Sequence, residues 1–224
     1  HIGEEEAAAD ANIADIAKYY AKKGKKPYLL TLSPDTKPLG ALGYIRCAGE
    51  ILDQLNNQKQ SVEKIVVASG SAATHVGILL GLRLLGSEIP VHGICVRRDR
   101  KQQILRVEGI VRLAEHLIGC GKVVQGKDIK CHDDWLAPGY GKTNGLVHEA
   151  MMLAGSLEGM IVDPVYTAKS LAGAIGLYRL GVFNNSQNIL YLHTGGMPAL
   201  FAYEDEITEK LNEGLSIKYQ NNKP

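Results

Sequence analysis

Lys64-Ile-Val-Val-Ala-Ser-Gly-Ser-Ala-Ala-Thr-His-Val-Gly77 is the stretch whose reading decides the fold. A β-branched run, Ile65 to Val67, stops at the small-residue turn Ala68-Ser69-Gly70-Ser71, and an apolar helical pattern follows at Val76, Leu79, Leu80 and Leu84. Strand, tight turn and helix aim free backbone N–H groups and a helix dipole at an anion. Gly70 permits close approach of a ligand, while Ser69, Ser71 and Thr74 can add hydroxyl donors toward phosphate oxygens. The plainer alternative for this stretch alone is an ordinary strand-to-helix turn.

Outward from this stretch, strands and helices alternate. Glu4 to Lys23 carries acidic residues early and lysines late, a helix pattern that Gly24 ends. A short strand is expected at Pro27–Leu32, then turn chemistry at Ser33-Pro34-Asp35-Thr36-Lys37-Pro38 marks a domain junction. This places residues 1–38 in the remnant of a smaller domain and 39–224 in a larger one. Leu39 to Leu55 reads as a helix with Ile45, Ile51, Leu52 and Leu55 inward. Beyond the opening stretch come a strand at Val91–Val96, a helix at Gln102–Leu117, and a short strand at Val123-Val124. A polar loop over 125–143 precedes a helix at Leu146–Leu157, with Met151, Met152 and Leu153 in the core. An extended piece at Ile161–Thr167, a helix at Ala168–Leu180, a strand at Asn188–Leu192 and a final helical pattern complete the series. The alternation predicts an α/β fold: an open parallel sheet with helices on both faces.

Composition narrows the function. In 224 residues the formal net charge is only +1, which gives no support for nucleic-acid or membrane-surface binding. The basic run Arg97-Arg98-Asp99-Arg100-Lys101 reads as the solvated start of a helix. No stretch is long and apolar enough for a membrane span. Cys47, Cys95, Cys120 and Cys131 lack CxxC spacing, which disfavours a zinc site and fits reduced thiols in a cytoplasmic protein. No metal is expected, since the neighbouring side chains of Cys131, His132 and Asp133 diverge in a loop. Gly139-Tyr140-Gly141-Lys142-Thr143 ends like a Walker A loop, but Leu136 stands where the first glycine belongs. The opening turn is neither a GxSxG elbow, because Ala73 occupies the second glycine position, nor a GxGxxG fingerprint.

Three clusters fall at strand ends or loops: Ala68-Ser69-Gly70-Ser71-Ala72-Ala73-Thr74-His75, Asp163-Pro164-Val165-Tyr166-Thr167-Ala168-Lys169 and His193-Thr194-Gly195-Gly196. Ligands of open parallel sheets gather outside the carboxyl ends of the strands, where such clusters converge. Together with Leu39-Gly40-Ala41-Leu42-Gly43-Tyr44 and Ala137-Pro138-Gly139-Tyr140-Gly141, they resemble the D-cysteine desulfhydrase and 1-aminocyclopropane-1-carboxylate (ACC) deaminase family. The resemblance runs in order from Leu39 to Tyr203. It implies the tryptophan synthase β-like architecture, fold type II, and pyridoxal 5'-phosphate as cofactor. It also implies a small amino-acid substrate and a homodimer.

The resemblance assigns roles to matching positions. Ser69, Gly70, Ser71, Ala72, Ala73 and Thr74 match the phosphate-binding loop, and Thr194 matches the hydroxyl residue near the pyridine nitrogen. Tyr166 matches an active-site tyrosine near the substrate, Tyr140 a second one lining the pocket; the structural alternative for each is a buried ring with a satisfied hydroxyl. Thr167 takes the place of the deaminases' glutamate, which contacts the pyridine ring, and the pattern is similar to the desulfhydrases. The implied reaction is α,β-elimination, with D-cysteine giving hydrogen sulfide, pyruvate and ammonia; ACC deaminase and cysteate sulfo-lyase activities share the framework.

Two departures qualify these implications. The family's Schiff-base lysine and Ser-Asn-His motif lie upstream of where His1 aligns, and Lys169 does not match the Schiff-base position. With no initiator Met before His1-Ile2-Gly3-Glu4, the chain reads as the later, C-terminal part of a longer lyase. The segment at Ser33–Pro38 replaces a Gly-Gly-Ser-type segment, which bears on substrate preference. Alternative readings are a truncated, non-catalytic ligand-binding or interaction module, and a generic nucleotide-binding α/β domain.

Overall fold

The computed structural model describes residues 6–30, 38–185 and 187–210. Helix α1 spans Glu6–Lys22, and α2 spans Leu39–Asn57. Strand β1 (Lys64–Ser69), helix α3 (Ala73–Leu84), strand β2 (Val91–Cys95) and helix α4 (Arg100–Ile118) follow. Strand β3 (Lys130–His132), helices α5 (Gly145–Glu158) and α6 (Thr167–Arg179), and strand β4 (Ile189–Tyr191) complete the regular elements. The last described segment is a 3-10 turn over Met197–Tyr203, running into helical residues 204–210.

The sheet is wholly parallel, in the order β3-β2-β1-β4. Alternation along β1 divides the core, because successive side chains of a strand point to opposite faces. Ile65 and Val67 join the residues of α2, α3 and α4 in one cluster, while Val66 joins Ile94, Trp135 and the α5–α6 residues Ala150 and Ala172 in another. Helices therefore cover both faces, as the alternating pattern predicts.

Glycines set how closely α2 rides on α3. A Cβ on Gly77 would come within 2.5 Å of the Ala41 carbonyl oxygen, and one on Gly81 within 2.6 Å of that of Ile45. One turn apart, the two glycines make a groove for the α2 backbone, and the close approach carries Tyr44 to the carboxyl end of the sheet.

Several elements differ from their sequence-based expectation. Among the described residues of Pro27–Leu32, positions 27–30 form no strand; Tyr28 and Leu30 are about four-fifths exposed, at 80% and 77%, with no ladder partner. Residues 31–37, which hold most of the expected junction, lie outside the described residues. Val123 and Val124 are not a strand either: both amides donate to Glu115 Oε1 at 2.8 Å, so a buried carboxylate takes the place of a ladder. The strand is Lys130–His132, inside the segment read as loop, where Cys131 pairs in register with Gly93. Ile161–Thr167 is a turn folded around Asp163 rather than an extended piece. Met152, expected in the core, is exposed, as is Leu84 at the end of the apolar pattern of α3. No helix among the described residues is long and apolar enough to cross a membrane.

Candidate active site

The three clusters converge. Gly70, Ser71 and Thr74 after β1, Arg97 after β2, and Thr194, Gly195 and Gly196 after β4 line a cavity of about 340 Å³. Tyr44, Ala68, Tyr140 and Tyr166 complete its wall. The volume lies within the ordinary range for small-ligand sites.

The first wall is the turn between β1 and α3. Ala72 sits at the N-cap of α3 in the left-handed region, at φ 79°, and turns the chain from strand into helix. No side chain caps the first amides of α3, so these donors are left for a ligand or solvent. The loop's carbonyls are held from behind. Arg98 Nη1 and Gln103 Nε2 donate to the Gly70 oxygen at 3.1 and 3.2 Å, and Arg106 Nε donates to that of Ser71 at 3.0 Å. A Cβ on Gly70 would stand 3.0 Å from Val96 Cγ2, tight enough to shift the loop.

Not every residue of the expected loop faces the cavity. Ser69 is fully buried beneath it; its hydroxyl accepts from Gln103 Nε2 at 2.8 Å and lies 3.1 Å from His75 Nδ1, to which it can donate. Ala72 and Ala73 shape the turn without lining the cavity. Gly93 makes room for this arrangement, since a Cβ there would meet His75 Nδ1 at 2.3 Å.

Asp163 organises the second wall. Its buried carboxylate accepts the amides of Val165, Tyr166 and Thr167 at 2.8–2.9 Å, starting α6 and presenting Tyr166. Thr167 is fully buried, and its hydroxyl donates to Asp163 Oδ1 at 2.6 Å. It therefore secures the turn and does not line the cavity. The Tyr166 and Tyr140 hydroxyls meet in a short contact. Burial, then that contact, pushes the Tyr166 phenol well above its ordinary range, so it keeps its proton at neutral pH.

Lys169, on the first turn of α6, is fully buried with its Nζ on the carbonyls of Leu136 and Gly139 at 3.0 and 2.5 Å. Burial lowers its pKa to about 8. Its work is to hold the segment that carries Tyr140.

The third wall is the His-Thr-Gly-Gly turn. His193 Nε2 faces the Ile161 carbonyl at 2.8 Å while its Nδ1 accepts from the Gly195 amide, which places the ring proton on Nε2. Thr194 lines the cavity beside Gly195 and Gly196, both at positive φ.

Sequence reasoning missed several contributors. Arg97 belongs to a run read as solvated, yet it lines the cavity with its guanidinium over the Tyr140 ring. The signal was its place directly after a strand's carboxyl end. Arg98 in the same run holds the loop, and Asp99 caps α4 by accepting the Gln102 amide at 2.8 Å. Tyr44 lies in a quoted motif but was given no role.

A parallel α/β sheet with an anion-binding turn, a hydroxyl residue and paired phenols around one cavity has the donor set of a phosphate-bearing aromatic cofactor site. The comparisons with known proteins agree. Residues 3–195 match the family model described as pyridoxal-phosphate dependent enzyme. The chain belongs to this pyridoxal-phosphate dependent family. It is 38% identical over 198 residues to the D-cysteine desulfhydrase of Salmonella paratyphi C, an alignment covering 88% of this chain and 59% of the relative. The Salmonella choleraesuis D-cysteine desulfhydrase matches to the same extent. The chain thus spans 59% of the length of these relatives. The crystal structure of an ACC deaminase homologue superposes with a TM-score of 0.80 at 31% identity, covering 93% of this chain and 61% of that one. An O-ureido-L-serine synthase shares the fold at a TM-score of 0.52 and 14% identity, covering 88% of this chain and 57% of that one.

Proposed function

We propose that this chain is the cofactor-holding part of a lyase that carries out α,β-elimination on a small β-substituted amino acid, D-cysteine being the first substrate to test. The observation that carries the reading is the convergence of the phosphate-type loop, Thr194, Tyr140 and Tyr166 on one cavity. Likeness to the D-cysteine desulfhydrases supports the substrate, with ACC and cysteate as the competing ones. Among the described residues, those lining the cavity fall between Tyr44 and Gly196, which supports 39–224 as the cofactor-holding unit, with 1–38 as a remnant of the smaller domain. A homodimer, which the sequence resemblance implies, is part of the same proposal.

In this reading Gly70, Ser71 and Thr74 receive the cofactor phosphate at the start of α3, with Ser69, Ala72 and Ala73 shaping the loop. Pyridoxal phosphate supplies the electron sink for the α-carbanion. Thr194, which lines the cavity, would hold the cofactor's ring nitrogen through a neutral hydroxyl, a partner that would favour ring protonation less than a carboxylate. Tyr166, its phenol protonated at neutral pH, would hydrogen-bond the β-sulfur as it leaves with the C–S electron pair, and Tyr140 would orient it through the hydroxyl contact. Thr167 acts on the cofactor only through the Asp163 turn.

A second reading, a non-catalytic binding module, is favoured by one observation: among the described residues no lysine lines the cavity, and Lys169 Nζ is engaged by two carbonyls. Titration with pyridoxal phosphate, followed by assay of sulfide and pyruvate from D-cysteine and borohydride trapping with peptide mapping, tests both. Saturable binding with sulfide release supports the lyase. Saturable binding without turnover supports the module, and no binding sinks both.

A further inference from the structure

Tyr140 stands at the corner of a turn that the Lys142 amide closes on the Gly139 carbonyl at 3.3 Å, with Gly141 beside it at φ 67°. Its ring is 46% exposed, so burial alone does not fix its hydroxyl on that of Tyr166. The carbonyls on either side of it are held from outside the loop. Lys169 takes that of Gly139, and the Tyr203 hydroxyl donates to that of Gly141 at 2.5 Å. Further along the loop, the Thr143 hydroxyl donates to Glu206 Oε1, an oxygen that also lies 3.2 Å from His148 Nε2 on α5. Tyr203 and Glu206 are three residues apart where the 3-10 turn runs into helical residues, a spacing that sets both on one face. Burial, then Glu206, raises the Tyr203 phenol above its ordinary range, so at neutral pH it carries the proton it donates. The segment bearing the two residues follows directly on Thr194, Gly195 and Gly196, and so ties one wall of the cavity to the loop of another.

We propose that Tyr203 and Glu206 are positioning residues of this site: the helical segment that carries them grips the loop beyond Tyr140 and keeps that phenol on Tyr166. The inference rests on the reading of the cavity as a pyridoxal-phosphate site and adds to it two residues that do not line the cavity.

Tyr203→Phe removes one hydroxyl and keeps the ring. Glu206→Ala removes the second hold, and Glu206→Gln returns an acceptor to Thr143. Each variant would be followed in three ways. Trypsin cleavage after Lys142, an exposed residue of the loop, is mapped against cleavage after the exposed Lys59 in the turn after α2. The ring resonances of Tyr140 and Tyr166 in tyrosine-labelled protein are compared with that of Tyr178, which bonds Asn185 beyond the end of α6. Pyridoxal phosphate is titrated by fluorescence. Tyr203→Phe and Glu206→Ala should each speed cleavage after Lys142 about five- to tenfold, the worth of one hydrogen bond. Both should shift the Tyr140 and Tyr166 resonances and weaken pyridoxal-phosphate binding, with Lys59 and Tyr178 unchanged. Glu206→Gln should recover most of each effect. Changes shared by Lys59 and Tyr178 would mark a general loosening of the fold and overturn the proposal. Unmoved resonances, or a loosened loop with full cofactor affinity, would overturn it too while leaving the functional reading in place. If the unmodified chain binds no pyridoxal phosphate, that reading fails and this one with it.

Discussion

A Cβ built on Gly196 would stand 2.5 Å from Oδ1 of Asp163, so the turns carrying Thr194 and Tyr166 are packed together with no room for a methyl group. The contact matters because that carboxylate is already committed to the amides of Val165, Tyr166 and Thr167. Gly196 also lies at φ 94°, in the region that favours glycine. Gly196→Ala should therefore strain the backbone and push Asp163 off its amides, costing about 2 kcal/mol or more. For a domain of this size that is a drop of about 4–8 °C in Tm. Thermal melts check the stability, and weaker pyridoxal-phosphate binding should accompany the loss.

Thr167 and Thr194 should respond oppositely to loss of the hydroxyl. Thr167 is fully buried and donates to Asp163, so Thr167→Val leaves a carboxylate oxygen short of a donor and should cost about 1–3 kcal/mol in urea unfolding. Thr194 lines the cavity, so Thr194→Val should act mainly on cofactor affinity and on the absorbance of the bound pyridine. The reverse pattern would return Thr167 to the cofactor.

Gln103 is fully buried, with Nε2 donating to Ser69 Oγ and to the Gly70 carbonyl. Gln103→Leu keeps the bulk and removes both donors, leaving the Gly70 carbonyl to Arg98 alone and loosening its hold away from the cavity. Affinity for pyridoxal phosphate should fall about five- to tenfold, the worth of one or two ordinary hydrogen bonds. Fluorescence titration of the cofactor reads this directly; unchanged affinity would show that the loop holds its shape without the tether.

The alternation of β-branched runs with helical periodicity made the parallel sheet legible, because a strand covered on both faces needs continuous apolar residues such as Ile65 to Val67. Gly70, Tyr140, Tyr166 and Thr194 were legible through their motifs. What escaped was decided by tertiary partners. Val123 and Val124 have the composition of a strand, but Glu115 takes their amides from the preceding helix. Lys130-Cys131-His132 looks polar, yet β2 supplies a ladder and His92 a ring partner for His132. Arg97 shares a basic run with Arg98, Arg100 and Lys101, and only its place after β2, set beside the segment carrying Tyr140, separates it from them.

The last prediction concerns acid stability. His92 is only 4% exposed, its Nδ1 3.0 Å from His132 Nε2 and its ring edge-on to Phe183. Burial first, then the neighbouring His132, Lys64, Lys130 and His75, lower its pKa to about 3. His132 is shifted in the same direction by burial and by Arg100. In the unfolded chain a histidine titrates near 6.5, so both states are neutral above that pH and His92 adds no pH dependence there. As pH falls from about 6.5 toward 3 the unfolded chain takes up a proton that the folded one refuses, and stability is lost at about 1.4 kcal/mol per pH unit. Denaturant unfolding between pH 7 and 5 should show this slope, increased by whatever His132 adds. His92→Phe, which fills the site without a titrating group, should flatten it. An equally steep slope in that variant would assign the acid sensitivity elsewhere.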